Sequence, residues 1–337
     1  MRNNKKYVLV TGGAGYIGSH VYVALKDLDF EPIILDNFSN CHASVINNLS
    51  KITGKKVYYR SGDIRNTKLI KNILKKYEIT DIIHLAAHKS IEEATLYPKK
   101  YLLENTSFLI SLLNAIKELK SCNFIFSSSA NTYQNSNNSI LFESDKLNSN
   151  NAYGKSKIYC ENIIKGIFKR KKNFNYSILR YFNPAGAHES CLIGQNEKSK
   201  YINLFSKIDN VALKKEKKLN IYGNNYKTLD RTCIRDYFHV MDLAEGHVKS
   251  LNYIKENNKN LIMNLGSGIG ISVLEVVRNY EKFNNLKIPL SITKPRNNDL
   301  PEVVPSIALA KKLIHWKPKY SIKEICESSY KFKLNLY

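Results

Sequence analysis

Short apolar runs alternate with longer segments of helical periodicity over the first half of the chain. The runs predict strands at 7–11, 32–36, 56–60, 81–86, 123–127 and 176–182. They are almost continuously apolar and rich in β-branched and aromatic residues, which is typical of strands buried on both faces. Parallel strands joined by helical segments form a sheet that helices cover on both sides. The pattern therefore predicts an α/β fold with a doubly wound parallel sheet.

The segments between these runs predict helices at 16–28, 66–77, 98–119 and 151–172. The last two helices carry apolar faces that are wider than a contact with one sheet requires. Such faces are usually covered by another element or by a second chain. We therefore expect these two helices to form a homodimer interface.

The second half of the chain has a different pattern. Beyond residue 183 the regular alternation stops, and Pro, Gly and Asn recur between short runs. We expect a smaller, loop-rich lobe over 183–337. The first domain would span 1–182 and would include a returning segment at about 236–266.

A glycine-rich turn follows the first predicted strand. Gly12, Gly15 and Gly18 stand between that strand and the first predicted helix, where missing side chains let backbone N–H groups approach a pyrophosphate. The second strand ends at Asp36, whose carboxylate can accept a hydrogen bond from an adenine-ribose 2′-hydroxyl and would repel a 2′-phosphate. This combination predicts a Rossmann-type domain that binds NAD in preference to NADP.

A serine, a tyrosine and a lysine supply the candidate chemistry. Tyr153 and Lys157 are one turn apart on a predicted helix and therefore share one face. An ammonium beside a phenol favours the phenolate, which can remove a proton from a substrate hydroxyl while a nicotinamide accepts hydride. Ser129 ends the fifth predicted strand and can bridge the substrate oxygen and the tyrosine. These three residues are the predicted catalytic set.

The composition narrows the range of partners. The formal net charge is +23, but the lysines are dispersed and no zinc-finger or RNA-binding motif accompanies them, so we expect no nucleic-acid partner. The 6 cysteines form no C-x-x-C pair, which predicts neither a metal site nor a disulfide framework. The basic start precedes an apolar run too short for a signal peptide, and no stretch could span a bilayer. We expect a cytoplasmic protein with no metal and no membrane contact.

Several motifs taken together resemble a known family. They are VTGGAGYIGSH, LDNFSN, GDIRN, NFIFSSSA, NAYGKSK, LRYFNPAGAH, IRDYFHVMDLAEGHV and NLGSG, and they extend through nearly the whole chain. The chain is similar to the extended short-chain dehydrogenase/reductase superfamily and, within it, to the UDP-glucose 4-epimerase family. The resemblance implies a bound NAD, a UDP-sugar substrate and a role in galactose metabolism.

The resemblance also assigns residues to the cofactor and to the substrate. Those implied to line NAD are Gly12, Gly15, Tyr16, Ile17, Gly18, Asp36, Asn37, Phe38, Ser39, Asn40, Asp63, Ile64, Leu85, Ala86, Ala87, Lys89, Ser127, Tyr153, Lys157 and Phe182. Those implied to hold the UDP-sugar are Lys89, Ser129, Asn131, Tyr153, Asn183, Asn203, Leu204, Tyr222, Arg235, Arg296, Asp299 and Val303. Arg235 and Arg296 suit the diphosphate, because a guanidinium pairs with phosphate oxygens.

The implied reaction is an inversion at C4′ of the sugar. Tyr153 takes the proton of the 4′-hydroxyl while the C4′ hydride passes to NAD. The resulting 4-keto sugar turns about its diphosphate, and hydride then returns to the other face. NAD is regenerated in each cycle and need not leave the protein.

The chain departs from the family pattern at several positions. Glu104 and Phe108 replace an Asn and a Gly, and His88 occupies a position that is usually apolar. Gln134 and Arg231 each stand where Gly is common. None of these changes removes the predicted catalytic set, although each bears on the rate or on the fit of the substrate.

One further departure bears on the sugar. Val303 aligns with a large Tyr of strict glucose/galactose enzymes, so an N-acetylated sugar has more room. The alternative interpretation is therefore an epimerase of UDP-N-acetylglucosamine and its galacto epimer, or a bifunctional enzyme. A 4,6-dehydratase is not expected, because Ser128 and Ser129 stand where those enzymes carry an Asp-Glu pair. A non-catalytic NAD-binding regulator is an alternative from another class, but such proteins typically lose the tyrosine or the lysine.

Overall fold

The helices and strands of the protein are taken from a computed structural model that describes residues 6–134, 140–196, 198–199, 201–296 and 299–336. The helices are α1 (Tyr16–Asp27), α2 (Ser44–Thr53), α3 (Thr67–Tyr77), α4 (Ile91–Leu96), α5 (Pro98–Ile116), α6 (Ala152–Phe168), α7 (Leu204–Ala212), α8 (Val240–Asn257), α9 (Val273–Asn284), α10 (Ala308–Ile314) and α11 (Ile322–Leu334). The strands are β1 (Lys6–Thr11), β2 (Phe30–Asp36), β3 (Tyr58–Ser61), β4 (Asp81–His84), β5 (Cys122–Ser129), β6 (Ile140–Leu141), β7 (Phe174–Tyr181), β8 (Asn183–Ala185), β9 (Leu219–Tyr222), β10 (Ile234–His239), β11 (Leu261–Leu265), β12 (Gly270–Ser272), β13 (Leu290–Thr293) and β14 (Glu302–Pro305). The basic start of the sequence, residues 1–5, lies outside the described residues.

The main sheet is parallel throughout and has the strand order β11-β7-β5-β4-β1-β2-β3. Val8, Leu9 and Val10 of the central strand β1 are fully buried, as expected for a strand with both faces covered. Each of the predicted strands corresponds to one strand of this sheet, and β11 returns to it from the second half of the chain. The predicted doubly wound parallel sheet is confirmed.

Helices cover both faces of this sheet. On one face, α1 and α8 contribute Val21 and Leu243 to an apolar cluster with Val8 and Val10. On the other face, α3, α5 and α6 pack in a second cluster that includes Leu9. Neighbouring residues of β1 belong to different clusters because successive side chains of a strand point to opposite faces. This arrangement explains why the strands are apolar at almost every position.

Another sheet has the order β12-β10-β14-β6, with β8 beside β10. Its strands come from the second half of the chain except β6, which comes from the first half and pairs with β14. Strands β9 and β13 make a separate parallel pair. Helices α7, α9 and α11 pack around an apolar cluster that includes Phe205, Val276 and Cys326. This region holds more regular structure than its Pro, Gly and Asn content predicted. The reason is that glycines such as Gly223 and Gly268, with φ of 82° and 76°, stand in turns between short elements.

The order of strands in the main sheet places a crevice at the carboxyl ends of its central strands. The order reverses between β1 and β4, and ligands of such sheets bind outside the carboxyl ends of the strands at the point of reversal. The glycine-rich turn follows β1 directly, and Asp36 ends β2 beside it. In the part of the chain that the structure describes, no helix is long and apolar enough to cross a membrane.

Candidate functional site

Glycines keep the turn between β1 and α1 compact. Gly12 has a φ of +70°, and a Cβ at this position would lie 2.8 Å from the backbone nitrogen of Ala86. A Cβ at Gly18 would lie 2.2 Å from the carbonyl oxygen of Gly12, so α1 can pack against the turn only if residue 18 has no side chain. The first turn of α1 is thereby held close to the end of β1. Its backbone N–H groups suit an anionic diphosphate.

Asp36 is held in a fixed position beside this turn. Its carboxylate accepts hydrogen bonds from the backbone N–H groups of Ala14 at 3.0 Å and Phe38 at 2.9 Å. Burial raises the pKa of Asp36, and the two N–H groups act in the opposite direction. The carboxylate is placed where an adenine ribose would donate a hydrogen bond to it.

A cavity of about 620 Å³ extends along the carboxyl ends of the main-sheet strands. The predicted cofactor residues that line it are Gly12, Gly15, Tyr16, Ile17, Gly18, Asp36, Asn37, Ser39, Asn40, Asp63, Ile64, Leu85, Ala86, Ala87, Lys89, Ser127, Tyr153 and Lys157. Two of the predicted cofactor residues, Phe38 and Phe182, do not line the cavity. The Phe38 ring lies against Tyr59, and Phe182 packs in a cluster with Tyr133 and Leu141. The size of the cavity is within the range usual for cofactor sites.

Further residues of this cavity wall were not in the predicted set of cofactor residues. They are Leu35, Cys41, Gly62, Arg65, His88, Ser90, Glu93, Lys100, Tyr101, Glu104, Phe108, Tyr181, Lys198, Ser199 and Tyr201. Tyr101, Glu104 and Phe108 share one face of α5. For Glu104 and Phe108 the sequence also offered the departure from the family pattern as a signal. Residues from the second half of the chain reach the wall through tertiary contacts, as the N–H of Ser199 does by donating to the Asn40 side chain at 3.0 Å.

The predicted catalytic lysine and tyrosine meet at one end of the cavity. Asn151 caps α6, since its side chain accepts a hydrogen bond from the N–H of Gly154 at 2.8 Å. Tyr153 and Lys157 follow on the first turns of this helix, and both are buried and line the cavity. Lys157 Nζ lies 5.9 Å from the centroid of the Tyr153 ring and donates to the carbonyl oxygen of Ser127 at 2.8 Å.

Ser129 completes this group from the end of β5. It forms a hydrogen bond with the hydroxyl of Tyr153. Its own Oγ accepts from the backbone N–H of Asn131 at 3.2 Å and from the Asn131 side chain at 3.1 Å. The structure thus brings Ser129, Tyr153 and Lys157 together from a strand and a helix that are separate in the sequence.

Burial is the largest influence on the pKa values of Tyr153 and Lys157. It raises the pKa of Tyr153 to about 12, and the hydrogen bond from Ser129 offsets this only in part. Burial lowers the pKa of Lys157 to about 8. The predicted lowering of the tyrosine pKa by the lysine is therefore not found among the protein groups. Tyr153 needs a further positive charge in the cavity to ionise near neutral pH.

Several predicted substrate residues are neighbours in the second half of the chain. Arg235 and Asp299 form an ion pair. The Arg235 guanidinium also donates to the carbonyl oxygen of Leu300 at 2.9 Å, and the Tyr226 hydroxyl donates to Asp299 at 3.3 Å. Val303 pairs with Arg235 in the register of β14 and β10. A guanidinium, a carboxylate and a small apolar side chain therefore meet near the starts of the neighbouring strands β10 and β14.

Arg296 and Tyr222 are a second pair of predicted substrate residues that are in contact. The Arg296 guanidinium carbon is 4.4 Å from the centroid of the Tyr222 ring, and Lys207 Nζ is 5.6 Å from the same centroid. Asn203 caps α7, accepting from the N–H of Ser206 at 3.0 Å. The other predicted substrate residues are Asn183 on β8, Leu204 at the first position of α7, Asn131 in the turn after β5, and Lys89 in the cavity wall.

The residues around the cavity fit a dinucleotide. The turn offers bare backbone to a diphosphate, Asp36 offers an acceptor to a ribose, and the far end holds a tyrosine and a lysine. Among the described residues, no group of three or more His, Cys, Asp or Glu is placed to hold a metal ion. Fold and site together define a dinucleotide-binding enzyme of the extended short-chain dehydrogenase/reductase class.

Comparisons with known proteins narrow this class. The family model described as GDP-mannose 4,6 dehydratase matches residues 9–329. The UDP-glucose 4-epimerase of Pasteurella multocida is 38% identical over 324 residues, covering 96% of each chain. The chain belongs to the UDP-glucose 4-epimerase family.

Solved structures of similar proteins agree with this assignment. A UDP-glucose 4-epimerase of Stenotrophomonas maltophila, solved with bound NAD and formylated UDP-arabinopyranose, matches with a TM-score of 0.95 and 32% identity over 98% of both chains. That of Bifidobacterium longum, solved in complex with NAD+ and UDP, matches with a TM-score of 0.93 and 34% identity over 98% of both chains.

Proposed function

We propose that this chain is a 4-epimerase that interconverts UDP-glucose and UDP-galactose with a bound NAD. The observation that carries the proposal is that Tyr153 and Lys157 line the same cavity as the glycine turn and Asp36, with Ser129 beside Tyr153. When bound, NAD takes up hydride from C4′ of the sugar and returns it to the opposite face.

Tyr153 is the proposed acid and base. Its phenolate takes the proton of the 4′-hydroxyl, while Ser129 holds the same oxygen through a hydrogen bond. Lys157, fixed by its bond to the Ser127 carbonyl oxygen, places positive charge beside the phenolate. In the second half of the reaction Tyr153 returns the proton to the inverted oxygen. The keto sugar turns between these two steps, so the rest of the substrate has to be anchored.

The proposed anchor lies in the second half of the chain. Arg235 and Arg296 would hold the diphosphate, because guanidinium groups donate pairs of hydrogen bonds to phosphate oxygens. Asp299, which already orients Arg235, would accept from the uridine portion. This division of labour supports a cofactor-binding domain over 1–182 with its returning segment and a UDP-sugar-binding lobe over 183–337. The remaining cofactor and substrate assignments of the sequence analysis stay part of this proposal.

A substitution of the proposed acid and base tests the activity directly. Tyr153→Phe should lower the epimerisation rate by about 10²–10⁴-fold, the usual contribution of a positioned proton donor and acceptor. The assay uses UDP-galactose and the protein as purified, without added NAD. Tyr253→Phe, on α8 and away from the cavity wall, is the matched control and should keep full activity. Equal rates in the two variants would contradict the proposal.

The size of Val303 bears on which sugar is accepted. We propose that UDP-N-acetylglucosamine and its galacto epimer are substrates as well, since valine is smaller than tyrosine and leaves room for the acetamido group. Val303→Tyr should lower the rate on the N-acetylated pair by roughly 10–100-fold and change the rate on UDP-glucose by less than about threefold. The two rates are compared in parallel assays. No turnover of N-acetylated sugars by the unsubstituted protein would remove this extension.

The proposed assembly is a homodimer formed through α5 and α6. Leu103 and Ile110 on α5 and Tyr159 and Ile167 on α6 are exposed although they are large and apolar. Their spacing places them along one side of each helix, and the two helices pack against each other. A second copy of the chain would cover this stripe by symmetric contact. We also propose that the enzyme works in the cytoplasm, where its cysteines stay reduced.

A further inference from the structure

Two side chains that depart from the family pattern meet in the cavity wall. His88 follows β4 and Glu104 lies on α5, and His88 Nε2 is 2.7 Å from Glu104 Oε2. A carboxylate oxygen only accepts, so Nε2 carries the proton and donates. The backbone of His88 is fixed independently, because its N–H donates to Asn105 at 2.8 Å and its carbonyl accepts from Asn105 at 3.0 Å. The pair therefore fixes the direction of the imidazole.

The imidazole is the middle member of a row of contacting groups. The Arg65 guanidinium lies 5.6 Å from the Phe108 ring, and Phe108 lies 5.5 Å from His88. His88 lies 5.6 Å from Tyr101, and Tyr101 meets Tyr153 edge-on at 6.3 Å. All of these distances are in the range of favourable aromatic and cation–π contacts. The row follows the cavity wall from the end of β3 to the catalytic tyrosine.

The carboxylates of the cavity wall each have a hydrogen-bonding partner, and for Glu104 that partner is His88. Asp63 is paired with Arg65, and Glu93 is paired with Lys100. Asp36 accepts from backbone N–H groups. The fourth carboxylate, that of Glu104, is 37% exposed and has the imidazole as its hydrogen-bond donor. Each of these carboxylates thus has a hydrogen-bond donor. A dinucleotide carries two negative phosphates, so a carboxylate of this wall that loses its donor would repel it more strongly.

We propose that His88 is a positioning residue for the cofactor, which retains NAD by donating a hydrogen bond to Glu104. The inference rests on the proposed NAD site. His88 and Glu104 act as a unit in it: the carboxylate orients the imidazole, and the imidazole removes the penalty of the carboxylate. Removing His88 alone is therefore worse for retention than removing both side chains.

The test follows the exchange of bound NAD for isotope-labelled NAD by mass spectrometry, using the protein as purified. His88→Leu should speed exchange by about tenfold, because the Glu104 carboxylate loses its hydrogen-bond donor. Glu104→Gln should change it by less than about threefold, and the double variant should return to within about threefold of the unsubstituted rate. His88→Gln keeps a donor for Glu104 and should exchange slowly.

The exchange experiment has a control variant and outcomes that would overturn the inference. Lys71→Leu breaks an exposed ion pair with Glu118 outside the cavity wall and should leave exchange unchanged. An unchanged rate in His88→Leu, or a double variant as fast as His88→Leu, would overturn the inference. If the unsubstituted protein retains no NAD, the proposed function fails as well. If it retains NAD but lacks epimerase activity, the exchange rates still decide the inference by themselves.

Discussion

At the scale of the residue, the cofactor site depends on missing side chains as much as on those present. Gly12 lets the strand end approach Ala86, and Gly18 lets α1 approach the carbonyl of Gly12. Asp36 is useful only because the turn brings Ala14 N–H to its carboxylate. The compact turn and the ribose acceptor are therefore one structural unit.

Gly18→Ala tests this unit. The added Cβ would lie 2.2 Å from the Gly12 carbonyl oxygen, so α1 has to move away from the turn. We expect a loss of about 1–3 kcal/mol in the free energy of unfolding, measured by urea denaturation, together with weaker retention of NAD. Gly166→Ala in α6 adds a Cβ with nothing within 4 Å and should stabilise the protein by about 0.5–1 kcal/mol. Changes of the same sign in both variants would contradict the argument.

At this scale, some contacts of the site can be predicted from the sequence and others cannot. The proximity of Tyr153 and Lys157 could be predicted from the sequence, because helical spacing alone places them on one face. The direction of Phe38 could not, because its left-handed backbone, with φ of +55°, and its contact with Tyr59 depend on neighbouring strands. The partner of His88 lies on another element, and no local pattern connects it to Glu104.

At the scale of the element, the four predicted helices began within one residue of where they are observed, and two of them ended too late. The segments predicted at 98–119 and 151–172 correspond to α5 and α6, which end at Ile116 and Phe168. The residues that follow are polar and basic, and such residues are compatible with both helix and coil. Helix α2 was not predicted, although Val45, Leu49 and Gly54 follow helical spacing with a left-handed glycine at the end.

The exposed stripe on α5 and α6 gives the prediction at this scale. Leu103 is 69% exposed in the single chain, and Leu103→Glu would place a charge at the centre of the proposed interface. We expect sedimentation equilibrium to show a dimer for the unsubstituted protein and a mass shifted towards the monomer for this variant, since buried unpaired charge is strongly unfavourable. Leu290→Glu, an exposed site on β13, should leave the dimer intact. A monomer mass without any substitution would exclude the proposed assembly.

At the scale of the whole molecule, the two halves are joined by α8, β11 and buried polar contacts between them. His247 on α8 is fully buried, donating from Nδ1 to the Leu243 carbonyl oxygen and accepting at Nε2 from the Tyr181 hydroxyl. A ring with one donor and one acceptor nitrogen is neutral. Burial accordingly lowers the pKa of His247 to about 4.

This histidine makes stability depend on pH. Below its ordinary pKa of about 6.5 the unfolded chain binds a proton that the folded chain excludes, so the free energy of unfolding falls between pH 6.5 and pH 4. His247→Gln can keep both hydrogen bonds and cannot titrate. The variant should show an acid slope shallower by up to about 1.4 kcal/mol per pH unit, measured by urea denaturation at several pH values. Parallel slopes would show that His247 does not exclude the proton.

The sequence by itself determined the class of fold, the glycine turn and the proposed catalytic residues. These features depend on contacts between near neighbours in the chain: apolar runs, glycines after a strand, a tyrosine and a lysine one turn apart. Only the tertiary structure decided which side chains face the cavity, that burial raises the pKa of Tyr153, and that His88 meets Glu104. Those outcomes depend on packing between elements distant in the sequence, where burial and charge are set by neighbours that no local pattern specifies.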